Sequence, residues 1–219
     1  MKFLGNPSSG SEAGLTYSRN RFGQYVRTRA TPVNPNSTAQ GQVRARLSAN
    51  AAAWRELTAV QREGWDSLGQ QMVRTDALGQ SYSLTGFQAY CSVNNNNLCA
   101  GNSVVSAAPA LETPSAIVTC TPTATAATFS IAYTVTPLPA GARLFVFCGN
   151  QRSAGRQFEG DLRLVHVSAA AAASPANVFT AYEAKFGTPV VGNRIFIVCT
   201  VYLSGFQSGP YNTSVVVSS

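Results

Sequence analysis

The sequence predicts an α+β protein: an N-terminal β-hairpin arm and a small helical unit, followed by an antiparallel β-sandwich. Three observations carry this. Apolar residues recur at helical spacing between 36 and 100, and at a spacing of two from 116 to 219. Between these regions, GNSVVSAAPALETPS (101–115) has the composition of a linker. Basic side chains also crowd at one end. The first 50 residues hold Lys2, Arg19, Arg21, Arg27, Arg29, Arg44 and Arg46 against Glu12 alone, within a chain of net charge +7.

Residues 1–35 read as an extended basic arm, whose first 13 positions are rich in Gly, Ser and Pro. From Gly14 to Ala30, GLTYSRNRFGQYVRTRA reads as a hairpin. Leu15, Tyr17 and Arg19 alternate with Thr16 and Ser18, Asn20–Gly23 supplies turn residues, and Tyr25–Arg29 alternates again. A lone two-stranded hairpin is marginal in water, so this one requires the rest of the chain or a neighbouring subunit. Arg19, Arg21, Phe22, Tyr25, Arg27 and Arg29 interleave guanidinium and aromatic groups. That mixture is enriched at protein interfaces, and it also stacks bases and grips phosphates. No nucleic-acid-binding motif accompanies it, which favours a protein surface.

Pro32 and Pro35 stop the strand, and Asn36 or Ser37 caps the first helix of a unit spanning 36–100. Val43, Leu47, Ala51 and Trp54 form one apolar face, with Arg44, Arg46 and Arg55 off it. Thr58 and Gln61 have the spacing of a capping box for a second helix, buried through Val60, Trp65, Leu68 and Met72. Thr85 and Gln88 repeat that spacing before a third, with Phe87, Cys91 and Leu98 inward. Trp54 and Trp65 are assigned to the core of this unit, since tryptophan is highly buried on average.

Beyond the linker, Ile117–Cys120, Thr128–Thr136, Arg143–Cys148, Leu162–Val167, Arg194–Leu203 and Thr213–Val217 read as strands between Pro/Gly turns. NVFTAYEAKFG is ambiguous between a strand and a short helical crossover. Six or seven short antiparallel strands suggest an immunoglobulin or fibronectin III-like sandwich.

The segment TPVNPNSTAQGQVRARLSANAAAWRELTAVQREGW, with SRNRFGQYVRTRA before it and DALGQSYSLTGFQAY after it, resembles a virion-associated family of tailed-phage genomes. The shared features are an Arg-rich start, an NPNT-like helix cap, W-x-x-L-T-x-x-Q-R-x-x-W, a G-x-x-x-x-L-T-G step and a β-rich C-terminal half. The resemblance implies a structural component of a bacteriophage virion. It would be made in the host cytoplasm and partnered by other virion proteins and by copies of itself. A capsid decoration protein is the preferred form. A tail or fibre component, a carbohydrate-binding module using Phe206 or Tyr211, and a nucleic-acid-binding protein are the alternatives.

Composition and motifs bear on the same question. Only 11% of residues are charged, less than half the usual ~25%, so partners are expected to cover much of the surface. Neither GxSxG, HExxH nor a Walker loop occurs. The lone His166 sits on a strand without a nucleophile motif, and Glu159 and Asp161 share a loop without a third carboxylate. No enzyme, metal or cofactor is therefore expected. MKFLGNPSSGS holds only Phe3–Leu4 as an apolar run, too short for a signal-peptide core. No run reaches the ~18 apolar residues of a membrane span. The five cysteines (91, 99, 120, 148, 199) are expected as thiols. Cys148 and Cys199 are the pair placed to face each other, and a reducing compartment argues against a bond between them.

Overall fold

The computed structural model describes residues 9–21, 23–76 and 79–219, so Phe22, one of the six hairpin candidates, lies outside them. Two compact units divide within the first helix, between Val43 and Arg44.

In the first unit, β1 (Gly10–Glu12), β2 (Leu15–Asn20) and β3 (Gly23–Thr28) form an antiparallel sheet in that order. The expected hairpin is β2–β3, in register from Leu15↔Thr28 to Asn20↔Gly23. The additional strand β1 pairs Gly10 with Tyr17 and Glu12 with Leu15. Ala13 and Gly14 connect β1 to β2 with φ of 44° and 81°, the positive values that a two-residue hairpin turn of type I′ needs at both central positions. None of the described residues before Asn50 is buried.

α1 runs Thr38–Glu56. Ser37, not Asn36, caps it: Gln40 N donates to Ser37 Oγ, and Ser37 N donates back to Gln40 Oε1 at 3.2 Å. The predicted stripe is correct in spacing but only half covered. Val43 and Leu47 are 60% and 55% exposed, and burial begins near Ala51 and Trp54.

α2 (Ala59–Gln71) and α3 (Gly86–Cys99) both carry the predicted capping boxes, on Thr58/Gln61 and Thr85/Gln88. Between them β4 (Val73–Thr75) and β5 (Ser81–Ser83) pair as a small hairpin. Trp65 and Leu68 are buried as expected, but Val60 is 76% exposed. Five residues of helix turn through about 500°, which leaves Val60 roughly 140° away from Trp65. On α3 the buried face is Ala89, Tyr90, Val93, Asn94 and Asn97, while Phe87, Cys91 and Leu98 flank it half-buried. Trp65 meets Tyr90 edge-on at 5.1 Å between ring centroids, and Trp54 lies 5.4 Å from the same ring.

The rest of the chain provides β6 (Thr119–Ala124), β7 (Phe129–Thr134), β8 (Arg143–Cys148), β9 (Arg152–Ser153), β10 (Arg163–Val167), β11 (Ala176–Asn177), α4 (Phe179–Phe186), β12 (Asn193–Leu203), β13 (Phe206–Gln207) and β14 (Tyr211–Val216). The ambiguous NVFTAYEAKFG segment resolves as α4, which buries Tyr182. One sheet has the order β11-β7-β6. In the other, Ile197–Cys199 of β12 pairs with β8 on one side and β14 on the opposite side, and β10 lies outside β8. Both sheets contribute to one core, Phe129, Ile131 and Tyr133 from the first meeting Leu144, Val146, Ile195 and Ile197 from the second.

The helices are not separated from the sheets. Phe206, at the tip of the β12–β13 hairpin, is buried in the cluster of Trp65, Tyr90 and Val93. The 101–115 segment is held down rather than free: Val105 N donates to Asn94 Oδ1 (2.8 Å), Asn94 Nδ2 to Val105 O (3.1 Å), and Trp65 Nε1 to Ser106 O (2.8 Å). Its composition suggests a linker because composition carries no information about which buried amide its backbone will meet.

Candidate interaction surface of the N-terminal arm

The register decides where the hairpin candidates lie. In a strand, successive side chains alternate between faces, and residues directly opposite share a face. Tyr25 is opposite Ser18, and Arg27 opposite Thr16, which is opposite Ser11. Ser11 Oγ and Thr16 Oγ1 are hydrogen-bonded at 3.0 Å on that face. Arg19 is opposite Gln24 and falls on the other face, with Tyr17, Val26, Leu15 and Glu12. Arg21 occupies the turn, and Arg29 lies just past β3, its N–H closing onto Gly14 O at 2.7 Å. The sheet thus brings Tyr25 and Arg27 together and separates them from Arg19.

Chemically the arm offers two kinds of contact. Arg19, Arg27 and Arg29 are exposed guanidinium groups, suited to planar, bidentate carboxylate or phosphate partners. Among the described residues β3 pairs only with β2, so its outer edge presents backbone donors and acceptors for strand addition.

The other chemically suggestive residues have structural employment. Glu159 is buried and accepts from Arg152 Nε at 2.5 Å and from Asp161 N, with Arg156 at 3.6 Å. The Arg152 hydrogen bond, supported by that from Asp161 N, holds its carboxyl below the usual carboxylate range. Asp161 pairs instead with Arg163 at 3.1 Å. His166 is half-buried on β10, and burial lowers its pKa. Among the described residues no cluster of three or more His, Cys, Asp or Glu side chains is placed to hold a metal ion. None of their helices is long and apolar enough to cross a membrane. Phe206 cannot serve as a sugar platform, because it is buried against the helices, and Tyr211 is half-buried against the sheet core.

All five cysteines are free thiols. Cys199 faces Cys120, with the sulfurs 3.7 Å apart, and not Cys148 as the sequence suggests.

The residues that join the helices to the sheets escaped the sequence reading. Asn96 Nδ2 donates to Gly205 O (2.8 Å), Gln207 Nε2 to Asn96 Oδ1 (3.1 Å), and Tyr202 Oη to Asn97 Oδ1 (2.5 Å). The available signal was the run Asn94–Asn97. Asparagine is a poor helix former, so four in succession inside a capped helix point to side chains needed for hydrogen bonding.

No protein-family model matches the chain, and no curated protein is detectably similar to it in sequence.

Proposed function

We propose that this chain is a non-enzymatic structural protein of a bacteriophage virion, a capsid decoration or accessory protein anchored by its N-terminal arm. The observation that carries the reading is that a three-stranded sheet rich in arginine has no buried residue among those described. A sheet of this size without an apolar core gains its stability from something packed or paired against it. The exposed guanidinium groups indicate that this partner is acidic. The low charge fraction of the whole chain, 11%, agrees with a surface largely occupied in an assembly.

The displayed part, in this reading, is an immunoglobulin or fibronectin III-like sandwich. A three-stranded sheet, β11-β7-β6, and a six-stranded sheet, β10-β8-β12-β13 with β14 and β9 also paired to β12, face each other across one shared core, which supports this reading.

The test uses particles lacking this subunit, to which full-length protein and a form lacking residues 1–30 are added. Full-length protein is expected to bind at fixed copy number and the truncated form to stay in solution, still folded. Full occupancy by the truncated form would reject anchoring by the arm. Salt-dependent binding to DNA, with none to particles, would favour the nucleic-acid alternative.

A further inference from the structure

Three thiols lie in the core shared by the two sheets: Cys120 on β6, Cys148 on β8 and Cys199 on β12, all buried. Cys120 and Cys199 belong to different sheets, and their Sγ atoms are 3.7 Å apart. Cys148 is not equivalent. Cys199 is directly opposite Val146, and Cys148 opposite Ile197, so Cys148 and Cys199 are diagonal neighbours. Diagonal pairs hold their Cα atoms about 7–8 Å apart, with Cβ atoms only somewhat closer. A disulfide needs its Cβ atoms within about 4.5 Å.

We propose that Cys120 and Cys199 are a cystine-forming pair, a modification site at which a small-molecule disulfide such as oxidised glutathione locks the two sheets together. The two thiols hold their protons unequally. The contact with Cys199 lowers the Cys120 pKa against the opposing effect of burial, and the same contact, together with burial, raises that of Cys199. Cys148, without such a partner, is pushed up to about 12 by burial. Cys120 is 7% exposed whereas Cys148 and Cys199 are fully buried, so Cys120 is the thiol an oxidant reaches first and the entry nucleophile. Its thiolate attacks one sulfur of oxidised glutathione, forming a mixed disulfide and releasing one glutathione thiolate. Cys199, as thiolate, then attacks Cys120 Sγ and expels the second glutathione. The protein thiols are oxidised by two electrons, the oxidant is reduced to two thiols, and both protons end on glutathione.

The bond would close a long chain segment across the sheet interface, which restricts the unfolded chain and raises the unfolding midpoint. Because burial slows attack on the folded protein, the test begins from the full chain reduced and unfolded, then refolded in a glutathione redox buffer. Thiols are trapped by alkylation in denaturant and linkages mapped by mass spectrometry. The expected product carries Cys120–Cys199, with Cys91, Cys99 and Cys148 alkylated. Its midpoint lies roughly 10 °C above that of the reduced protein. Cys148→Ala should keep the linkage and Cys199→Ala should lose it. Should either variant fail to fold, the wild-type map still decides. A dominant bond through Cys148, Cys91 or Cys99, no bond even in strongly oxidising buffer, or a bond that leaves the midpoint unchanged would each overturn the proposal.

Discussion

Truncating Trp65 should unfold helices and sheets together. Its side chain is fully buried, meets Tyr90 edge-on, and donates its indole N–H to Ser106 O. Removing a buried aromatic costs about 3–5 kcal/mol. The ring contact adds about 0.5–1.5 kcal/mol beyond area, so Trp65→Ala belongs near 5 kcal/mol. In a unit the size of residues 44–219, each kcal/mol moves the midpoint by about 2–4 °C, giving a fall of roughly 10–20 °C. Trp65→Phe keeps most of the packing but loses the hydrogen bond, and should cost about 1–2 kcal/mol. Phe206 shares the Trp65 cluster, so the loss must reach the sheets. Thermal unfolding followed by far-UV circular dichroism and by Trp54 fluorescence should give one coincident, lowered transition for Trp65→Ala. Two separate transitions, with the sheet signal unmoved, would refute the view that residues 44–219 unfold as one body.

Gly205 has φ of 92°, and a Cβ there would lie 2.4 Å from Val93 Cγ1; Gly205→Ala should cost about 1–3 kcal/mol. Adding Val93→Ala should cost less than the two changes summed, as a double-mutant cycle in denaturant would show. A broad-specificity protease should remove the arm first and leave a fragment beginning near Arg44, because residues 101–115 are hydrogen-bonded to α2 and α3; early cleavage between 101 and 115 would contradict this. Burial lowers the His166 pKa below its ordinary 6.5, so the unfolded chain takes up the proton first and stability should fall as pH drops below about 6.5. His166→Gln should flatten that part of the stability–pH curve, measured by denaturant midpoints. Replacing Arg19, Arg21, Arg27 and Arg29 by Gln should weaken particle binding at low salt and abolish most of its salt dependence. An unchanged salt slope would move the attachment surface away from these charges.

The hairpin was legible because its alternation and its turn residues both lie in consecutive sequence, and the two capping boxes because Thr and Gln sit three apart. β1 was not legible: Gly10–Glu12 has no apolar residue, and Ala13 gives no sign that it will adopt positive φ. Apolar periodicity places the buried face of α3 one residue out of phase because Asn94 and Asn97 are buried, with their amides satisfied by partners outside the helix. For the same reason 101–115 looked like a boundary. Hydrophobic period and turn composition describe what a segment does locally, whereas Val105, Ser106 and Asn102 are fixed by Asn94, Trp65 and Tyr202.

The division of the arm residues between two faces sharpens the anchoring question. A flat partner gripping one face would engage Tyr25 and Arg27 and leave Arg19 in solvent, or engage Arg19 with Tyr17 and leave Arg27 free. A partner that adds a strand along β3 would meet backbone first and reach both faces from the side, making all these side chains secondary. Single substitutions separate the cases. Loss confined to Arg27→Gln or to Arg19→Gln identifies a face, while a proline at Val26 that blocks attachment when neither charge change does identifies the edge. The edge geometry carries its own consequence: the outer edge of a strand at the rim of a sheet is a template for pairing with another chain. Two copies of the free protein would then associate through β3 unless particles are present. The same edge would serve both self-association and attachment, and the two states would compete for it.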